Sequence, residues 1–157
     1  MERMPFVSVV VLNYNGKLLL KECLDSLLKT VYPRNKFQII VVDNASSDES
    51  VEFINTKYHS VKIVKSEKNV GVVANNLGIK YAMKKSNAGY VVLFNNDVVV
   101  HKSWLKELVD VAESDKTIGA CGPTILNTDG TIQSLGGTVD VIGTPYLITH
   151  HRLSGVV

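Results

Sequence analysis

Three polar residues, Asn95, Asn96 and Asp97, interrupt the apolar stretch VVLFNNDVVV at positions 91–100. A carboxylate between two apolar runs needs a partner, because burying an unpaired charge costs several kcal/mol, roughly, even after the protein relaxes. A divalent cation would be such a partner, since Mg²⁺ takes one or two carboxylates and lets substrate phosphates complete its shell. Asp97 is therefore a candidate metal ligand, with Asn95 as a neutral oxygen donor. A polar turn after a strand is the alternative.

Two further polar clusters each follow an apolar run. A tyrosine ring in the first could stack on a nucleobase, and a carboxylate in the second could accept a hydrogen bond from a base N–H or a ribose hydroxyl. The plainer interpretations are a loop tyrosine and an acid favoured by a helix N-terminus. The clusters are Asn13-Tyr14-Asn15 after the run at 7–12, and Asp43-Asn44 after the run at 37–42.

A fourth polar segment, at 69–78, contains the pair Asn75-Asn76. Asparagine is mildly unfavourable inside a helix, so the pair indicates a polar ligand or a strand end facing it. The glycines of the chain do not form GxGxxG, which disfavours a dinucleotide-binding motif.

His150 and His151 are adjacent, and adjacent side chains on a strand point to opposite faces. We therefore predict surface residues rather than a metal site there.

Strands and helices alternate through the first two-thirds of the chain, and the strands are apolar throughout. This pattern predicts an α/β fold with a mostly parallel sheet, helices on both faces, and ligands bound at the carboxyl ends of the strands. A capping box at Ser46 and Glu49 predicts where the second helix starts. The predicted strands are 7–12, 37–42, 61–64, 90–94 and 119–126, the helices are 20–31, 46–58, 73–85 and 103–113, and a C-terminal hairpin pairs 131–135 with 138–142 around Gly136-Gly137.

Length and composition predict one soluble domain spanning 1–157. Of 157 residues, 45% are hydrophobic and 20% charged, and the net charge of +2 is too small to indicate a nucleic-acid partner. The cysteines Cys23 and Cys121 lack metal-type spacing and are interpreted as reduced core residues of a cytoplasmic protein. No apolar run approaches the ~20 residues of a membrane span. Peripheral association with the cytoplasmic face of a membrane, through sequence outside this chain, stays open.

Four motifs in order resemble the family 2 glycosyltransferases, especially their rhamnosyltransferase-like branch. The motifs are VSVVVLNYNG, VVDNASSDES, NVGVVANNLGI and VVLFNNDVVV, and the later GACGPTILNTDGTIQSLGG also fits that branch. The resemblance implies a GT-A fold and a nucleotide-diphosphosugar donor, namely a UDP-, TDP- or GDP-sugar. It further implies inverting transfer of the sugar to a hydroxyl of a glycan or lipid-linked acceptor in polysaccharide biosynthesis.

The resemblance also assigns residues by position. Asp97 corresponds to the metal ligand of the family's Asp-x-Asp motif and would hold Mg²⁺ or Mn²⁺. Asn95 replaces the first acid of that motif, and we expect it at the ribose or at a metal-bound water. The other positions that match donor-binding segments are Asn13, Tyr14, Asn15, Asp43, Asn44, Asn69, Gly71, Asn76 and Asn96.

The resemblance leaves the general base unassigned. Family members need an aspartate or glutamate base well past the metal motif, and LSGVV at 153–157 resembles the start of that segment. We therefore expect a truncated chain that keeps the donor site and lacks the base. Asp110, Asp115, Asp129 and Asp140 match no motif.

Two other functional classes stay open. A sugar nucleotidyltransferase on a similar sheet would start with a glycine- and arginine-rich loop after the first strand, which NYNGKLLL lacks. A non-catalytic nucleotide-sugar-binding module would bind the donor without turnover. The sequence does not specify the donor sugar, the acceptor or the oligomeric state.

Overall fold

The computed structural model describes residues 4–85, 88–139 and 145–147. The chain divides into two compact units, Met1–Lys106 and Glu107–Val157. Asp140, His150 and His151 lie outside the described residues, so the predictions made for them stay predictions.

Four parallel strands form the sheet of the first unit, in the order β3-β2-β1-β4. The register places Asn13 opposite Asp43 and Leu12 opposite Asn95, so three strands end at the same edge. This confirms the predicted parallel α/β fold. The strands are β1 (Val7–Asn13), β2 (Phe37–Asp43), β3 (Lys62–Lys65) and β4 (Tyr90–Asn95).

Four α-helices occur among the described residues, where four were predicted. None of them is long and apolar enough to cross a membrane. The first ends before the predicted position 31, because the Val31 N–H turns away to donate to the Lys102 carbonyl at 2.7 Å. The helices are α1 (Lys17–Leu27), α2 (Ser50–Lys57), α3 (Asn75–Lys85) and α4 (Trp104–Ser114).

The capping box predicted at the start of α2 is not formed. Ser46 lies four residues before the helix, and its hydroxyl accepts the Asn15 N–H at 3.0 Å. Glu49, the residue before the helix, is left-handed at φ 63° and makes no side-chain capping bond. Instead Asp48 Oδ1 accepts the Ser50 N–H at 3.2 Å and also contacts its hydroxyl. The pattern correctly indicated a nearby helix start, but the Ser46 hydroxyl bonds to the loop after β1 and does not cap the helix.

The central strands are buried on both faces. Val10 packs in a cluster with Ala82 of α3 and with Ala74, which lies just before α3. Val9 and Val11 point to the opposite face and are also 0% exposed. Gly78 of α3 makes this packing close, because a Cβ there would lie 2.4 Å from Val10 Cγ1. Helix and sheet backbones therefore approach more closely than a side chain would allow.

The second unit contains two short antiparallel pairs, so a C-terminal hairpin region is confirmed, but the predicted pairing is wrong. The predicted strand 119–126 is reduced to its last two residues. The predicted strand 131–135 pairs with these residues, which precede it in the chain, and not with 138–142. The Asp129-Gly130 turn causes this, because Asp129 Oδ1 accepts the Thr131 N–H at 2.9 Å and Gly130 adopts φ 84°. The strands are β5 (Ile125–Leu126) with β6 (Ile132–Ser134), and β7 (Gly137–Val139) with β8 (Pro145–Leu147).

Candidate functional site at the carboxyl edge of the sheet

Asn13 at the end of β1 connects the loops on both sides of it. Its side chain is 0% exposed. Its Oδ1 accepts Asn96 Nδ2 at 2.8 Å, and its own Nδ2 donates to Ser46 Oγ at 3.2 Å. Both ends of the amide are therefore bonded to protein, and Asn13 holds the loops that would face a ligand.

The β1–α1 and β2–α2 loops are fastened to each other. The Ser47 N–H donates to Asn15 Oδ1 at 2.7 Å, and the Lys17 N–H donates to Asp48 Oδ2 at 2.9 Å. Asn15, Ala45 and Glu49 all have positive φ, between 49° and 64°. Such conformations cost about 1–3 kcal/mol each and persist where the surroundings impose them. The bonds between the two loops hold these backbone conformations in place. Tyr14 lies within the first of these loops, at the carboxyl edge of the sheet, and is half-exposed.

Asn44 ties the end of β2 to the segment that follows β3. Its side chain is 2% exposed. Its Nδ2 donates to Asn69 Oδ1 at 2.8 Å and to the Gly71 carbonyl at 3.2 Å, and its Oδ1 accepts the Val70 N–H at 3.1 Å. The structure thus brings Asn69 and Gly71 beside Asn44. Asn76 is exposed on α3.

Asp43 carries an oxygen without a partner. The side chain is 4% exposed, and Oδ2 accepts the Ser46 N–H at 3.2 Å. Its other oxygen, Oδ1, is buried with no hydrogen bond within the described part of the chain. Buried polar atoms are nearly always paired, so an orphaned carboxylate oxygen at a sheet edge indicates a place for a ligand donor.

Asp97 is exposed and makes no recorded hydrogen bond or ion pair among the residues that the structure describes. The thiol of Cys23 donates to the Asn95 carbonyl oxygen, with Sγ 3.9 Å from it. Burial, and then the charge of Asp97, raise the pKa of the Cys23 thiol to about 12. Cys23 is therefore a protonated core residue, as predicted, whereas the same prediction was wrong for Cys121, which is exposed.

The residues present fit a cation that brings most of its own ligands. Among residues 4–85, 88–139 and 145–147, no group of three or more His, Cys, Asp or Glu side chains could hold a metal. Asp97 offers one unpaired carboxylate, and Asn95 beside it is also exposed. Mg²⁺ is commonly held in this way, by one or two carboxylates with substrate phosphates and water in the remaining positions.

Gly16 allows a close approach at the candidate site that the sequence did not predict. A Cβ there would lie 2.0 Å from Asn96 Nδ2 and 3.1 Å from Asn13 Oδ1, so only glycine leaves room for the bond between the two asparagines. The signal was present, because Gly16 directly follows the polar cluster Asn13-Tyr14-Asn15. Its φ of −123° shows that close approach, not a left-handed backbone, requires the glycine.

Gly16→Ala should therefore displace the Asn96 side chain from Asn13. We expect the metal-assisted affinity for a nucleoside diphosphate to fall about tenfold, and the free energy of unfolding to fall by about 1–3 kcal/mol, because the buried Asn13 Oδ1 loses its donor. Isothermal calorimetry and urea unfolding measure the two quantities. A large loss of stability with intact binding would contradict this assignment.

Two acidic residues of the second unit are committed to turns. Asp115 accepts hydrogen bonds from the backbone and hydroxyl of Thr117, and Asp129 accepts the same pair from Thr131. These bonds lower the pKa of both carboxyls. A lowered pKa makes a weaker base, so neither residue is suited to deprotonating an acceptor hydroxyl.

Comparison with known proteins identifies the family. The profile described as "Glycosyl transferase family 2" matches residues 8–138. Glycosyltransferase AglE of Haloferax volcanii is 30% identical over 107 residues, which cover 66% of this chain and 34% of that protein. The O-antigen biosynthesis protein RfbC of Myxococcus xanthus is 31% identical over 145 residues, which cover 88% of this chain and 11% of that protein.

Solved structures share the fold. The mannosyltransferase PcManGT of Pyrobaculum calidifontis, in complex with GDP-Man and Mn²⁺, superposes with a TM-score of 0.70 at 24% identity, covering 80% of this chain and 37% of that one. TarS 1-349 of S. aureus in complex with UDP-GlcNAc superposes with a TM-score of 0.58 at 22% identity, covering 80% and 41%. The chain thus has the GT-A fold and belongs to glycosyltransferase family 2. It spans about a third or less of the length of the curated relatives described above.

Proposed function

We propose that this chain forms the donor-binding part of an inverting glycosyltransferase, which transfers a sugar from a nucleotide-diphosphosugar to an acceptor hydroxyl with the help of Mg²⁺ or Mn²⁺. The observation that carries the proposal is that two carboxylates at one sheet edge have oxygens without a partner among the described residues, namely Oδ1 of Asp43 on β2 and the exposed carboxylate of Asp97 after β4. Family membership and the donors named with PcManGT and TarS support it.

The two carboxylates are spaced for the two ends of one ligand. Their strands flank β1 on either side, and adjacent strands lie ~4.8 Å apart, so the strand ends are about 10 Å from each other. An extended nucleoside diphosphate covers such a distance. Asp43 Oδ1 would accept a hydrogen bond from the base or ribose, with the Tyr14 ring beside it, and Asp97 would face the diphosphate.

In this mechanism the chain binds and orients the donor, and it would hold the cation that offsets the charge of the diphosphate. The fastened loops hold the nucleoside end, and the segment containing Asn69, Gly71 and Asn76 would line the donor. Asp97, with Asn95, would hold the divalent cation. When bound, the cation supplies Lewis-acid assistance to the departing diphosphate. A carboxylate base on the acceptor side would deprotonate the attacking hydroxyl, a step typically worth ~10²–10⁴-fold.

Calorimetry tests the proposal directly. UDP, TDP and GDP are titrated into the protein with Mg²⁺, with Mn²⁺ and with EDTA. We expect at least one of them to bind, and to bind more tightly with metal. If none binds, or if EDTA leaves the affinity unchanged, the proposal is wrong.

The donor sugar, the glycan or lipid-linked acceptor and the rhamnosyltransferase-like branch stay predictions. A non-catalytic nucleotide-sugar-binding module is the second candidate, favoured by the turn commitments of Asp115 and Asp129. It would bind the same nucleotides. Transfer or hydrolysis of a matching UDP-, TDP- or GDP-sugar by the protein would exclude it.

A further inference from the structure

One chain of hydrogen bonds crosses the candidate site from the β2–α2 loop to the segment after β4. Ser46 Oγ accepts from Asn13 Nδ2, and Asn13 Oδ1 accepts from Asn96 Nδ2, at 3.2 and 2.8 Å. The backbone of Asn13 contacts the same loop, because the Asn44 N–H donates to the Asn13 carbonyl at 2.8 Å, and the Asn13 side chain extends this connection to Asn96. Asp43 lies just before one end of this chain, and Asp97 lies just after the other.

The amide of Asn13 is suited to this connection. It offers a donor at one end and an acceptor at the other, which matches an acceptor hydroxyl on one side and a donor amide on the other. Because Asn13 is 0% exposed, water cannot readily replace a lost partner. Loss of either neighbour would leave one half of the amide unpaired and free to rotate away from the other.

We infer that Asn13 is a positioning residue that couples the nucleoside end of the donor site to its metal end, by fixing Asn96 and hence Asp97 relative to Ser46. This inference rests on the proposed function. It follows that removing the Ser46 hydroxyl, on the nucleoside side, should lower the affinity of the site for a cation that Asp97 would hold.

The test is a double-mutant cycle of Ser46→Ala and Asn96→Ala, read by calorimetry with the best-binding nucleoside diphosphate in Mn²⁺ and in EDTA. Each single change should weaken binding in Mn²⁺ by about fivefold and should raise the Mn²⁺ concentration at half-saturation similarly, with less effect in EDTA. The double variant should lose about fivefold as well, well short of the ~25-fold expected for independent sites.

Two controls use the same loop. Ser47→Ala removes a neighbouring hydroxyl that has no bond to Asn13, so it should combine additively with Asn96→Ala. Ser46→Thr keeps the hydroxyl and should retain the metal dependence of the unmodified protein. Urea unfolding of every variant confirms that it is folded, and a variant that does not fold is replaced in the cycle by Asn96→Ser or Ser46→Gly.

The outcomes separate the two proposals. If the unmodified protein binds no nucleoside diphosphate, the proposed function is wrong and the inference falls with it. If it binds, but Ser46→Ala weakens binding equally in Mn²⁺ and EDTA, or the cycle is additive, then Asn13 is not a coupling residue and the proposed function stands. Non-additivity confined to the Mn²⁺ measurements supports the coupling.

Discussion

Asp97→Asn should weaken nucleoside-diphosphate binding in Mn²⁺ by at least about 100-fold, and leave binding in EDTA and the stability of the protein nearly unchanged. The carboxylate is exposed and without a recorded partner in the described residues, so its loss removes no structural bond. Changing an outer residue of a metal site typically costs 10–100-fold in affinity, and a direct ligand should cost at least the upper end of that range. Calorimetry in the two conditions measures the effect.

A matched control separates ligation from charge. Asp129→Asn makes the same chemical change in the second unit, at a carboxylate that is bonded within its own turn, and should leave nucleotide affinity within about twofold. If Asp97→Asn binds like the unmodified protein in Mn²⁺, then Asp97 is not a metal ligand. An equal loss in EDTA would instead assign Asp97 a direct contact with the nucleotide.

Gly78→Ala should destabilise the protein by about 2 kcal/mol, although alanine is the better helix former by ~1 kcal/mol. The added Cβ would lie 2.4 Å from Val10 Cγ1 and 2.8 Å from Val42 Cγ2. Both valines are fully buried in central strands, where β-branched side chains have little rotamer freedom to move aside. Helix and sheet must therefore separate. Urea unfolding measures the loss.

A second change tests the steric explanation. Val10→Ala removes the methyl groups that the new Cβ would meet, so the Gly78→Ala, Val10→Ala double variant should be more stable than the sum of the two single losses implies. Gly119→Ala is the matched control, since no atom lies within 4 Å of a Cβ there, and should stay within about 0.5 kcal/mol. An unchanged or raised stability for Gly78→Ala would contradict the close packing.

The site was predictable as far as the strand ends. The apolar runs at 7–12 and 37–42 could only be buried strands, and in a parallel sheet their carboxyl ends must share an edge. For Asp97 the premise of the prediction was wrong, because the carboxylate is exposed and its charge carries no burial cost that a cation must offset; its role as a metal ligand stays a prediction. The structure leaves the carboxylate unpaired within the residues it describes.

The roles of the asparagines were not predictable. Asn13, Asn15 and Asn44 resemble one another in sequence, each following or ending an apolar strand, and motif matching treated them as equivalent candidates for the donor. In the structure the Asn13 side chain bonds to Ser46 and Asn96. The Asn15 side chain bonds to Ser47, and the Asn44 side chain bonds to the 69–71 segment. These partners lie between 25 and 83 residues away in the chain, and no local pattern specifies them.

The sequence by itself thus determined the parallel sheet and the edge at which its polar strand ends meet, because hydrophobic periodicity and strand ends are local properties. Only the tertiary structure decided which polar side chains hold the loops and which remain open to a ligand. It also decided that Ser46 bonds to Asn13 and Asn15 and does not cap α2. The close approaches that require glycine at positions 16 and 78 are likewise visible only there. Hydrogen-bond partners and close approaches depend on where distant segments meet, and that distance is set by packing.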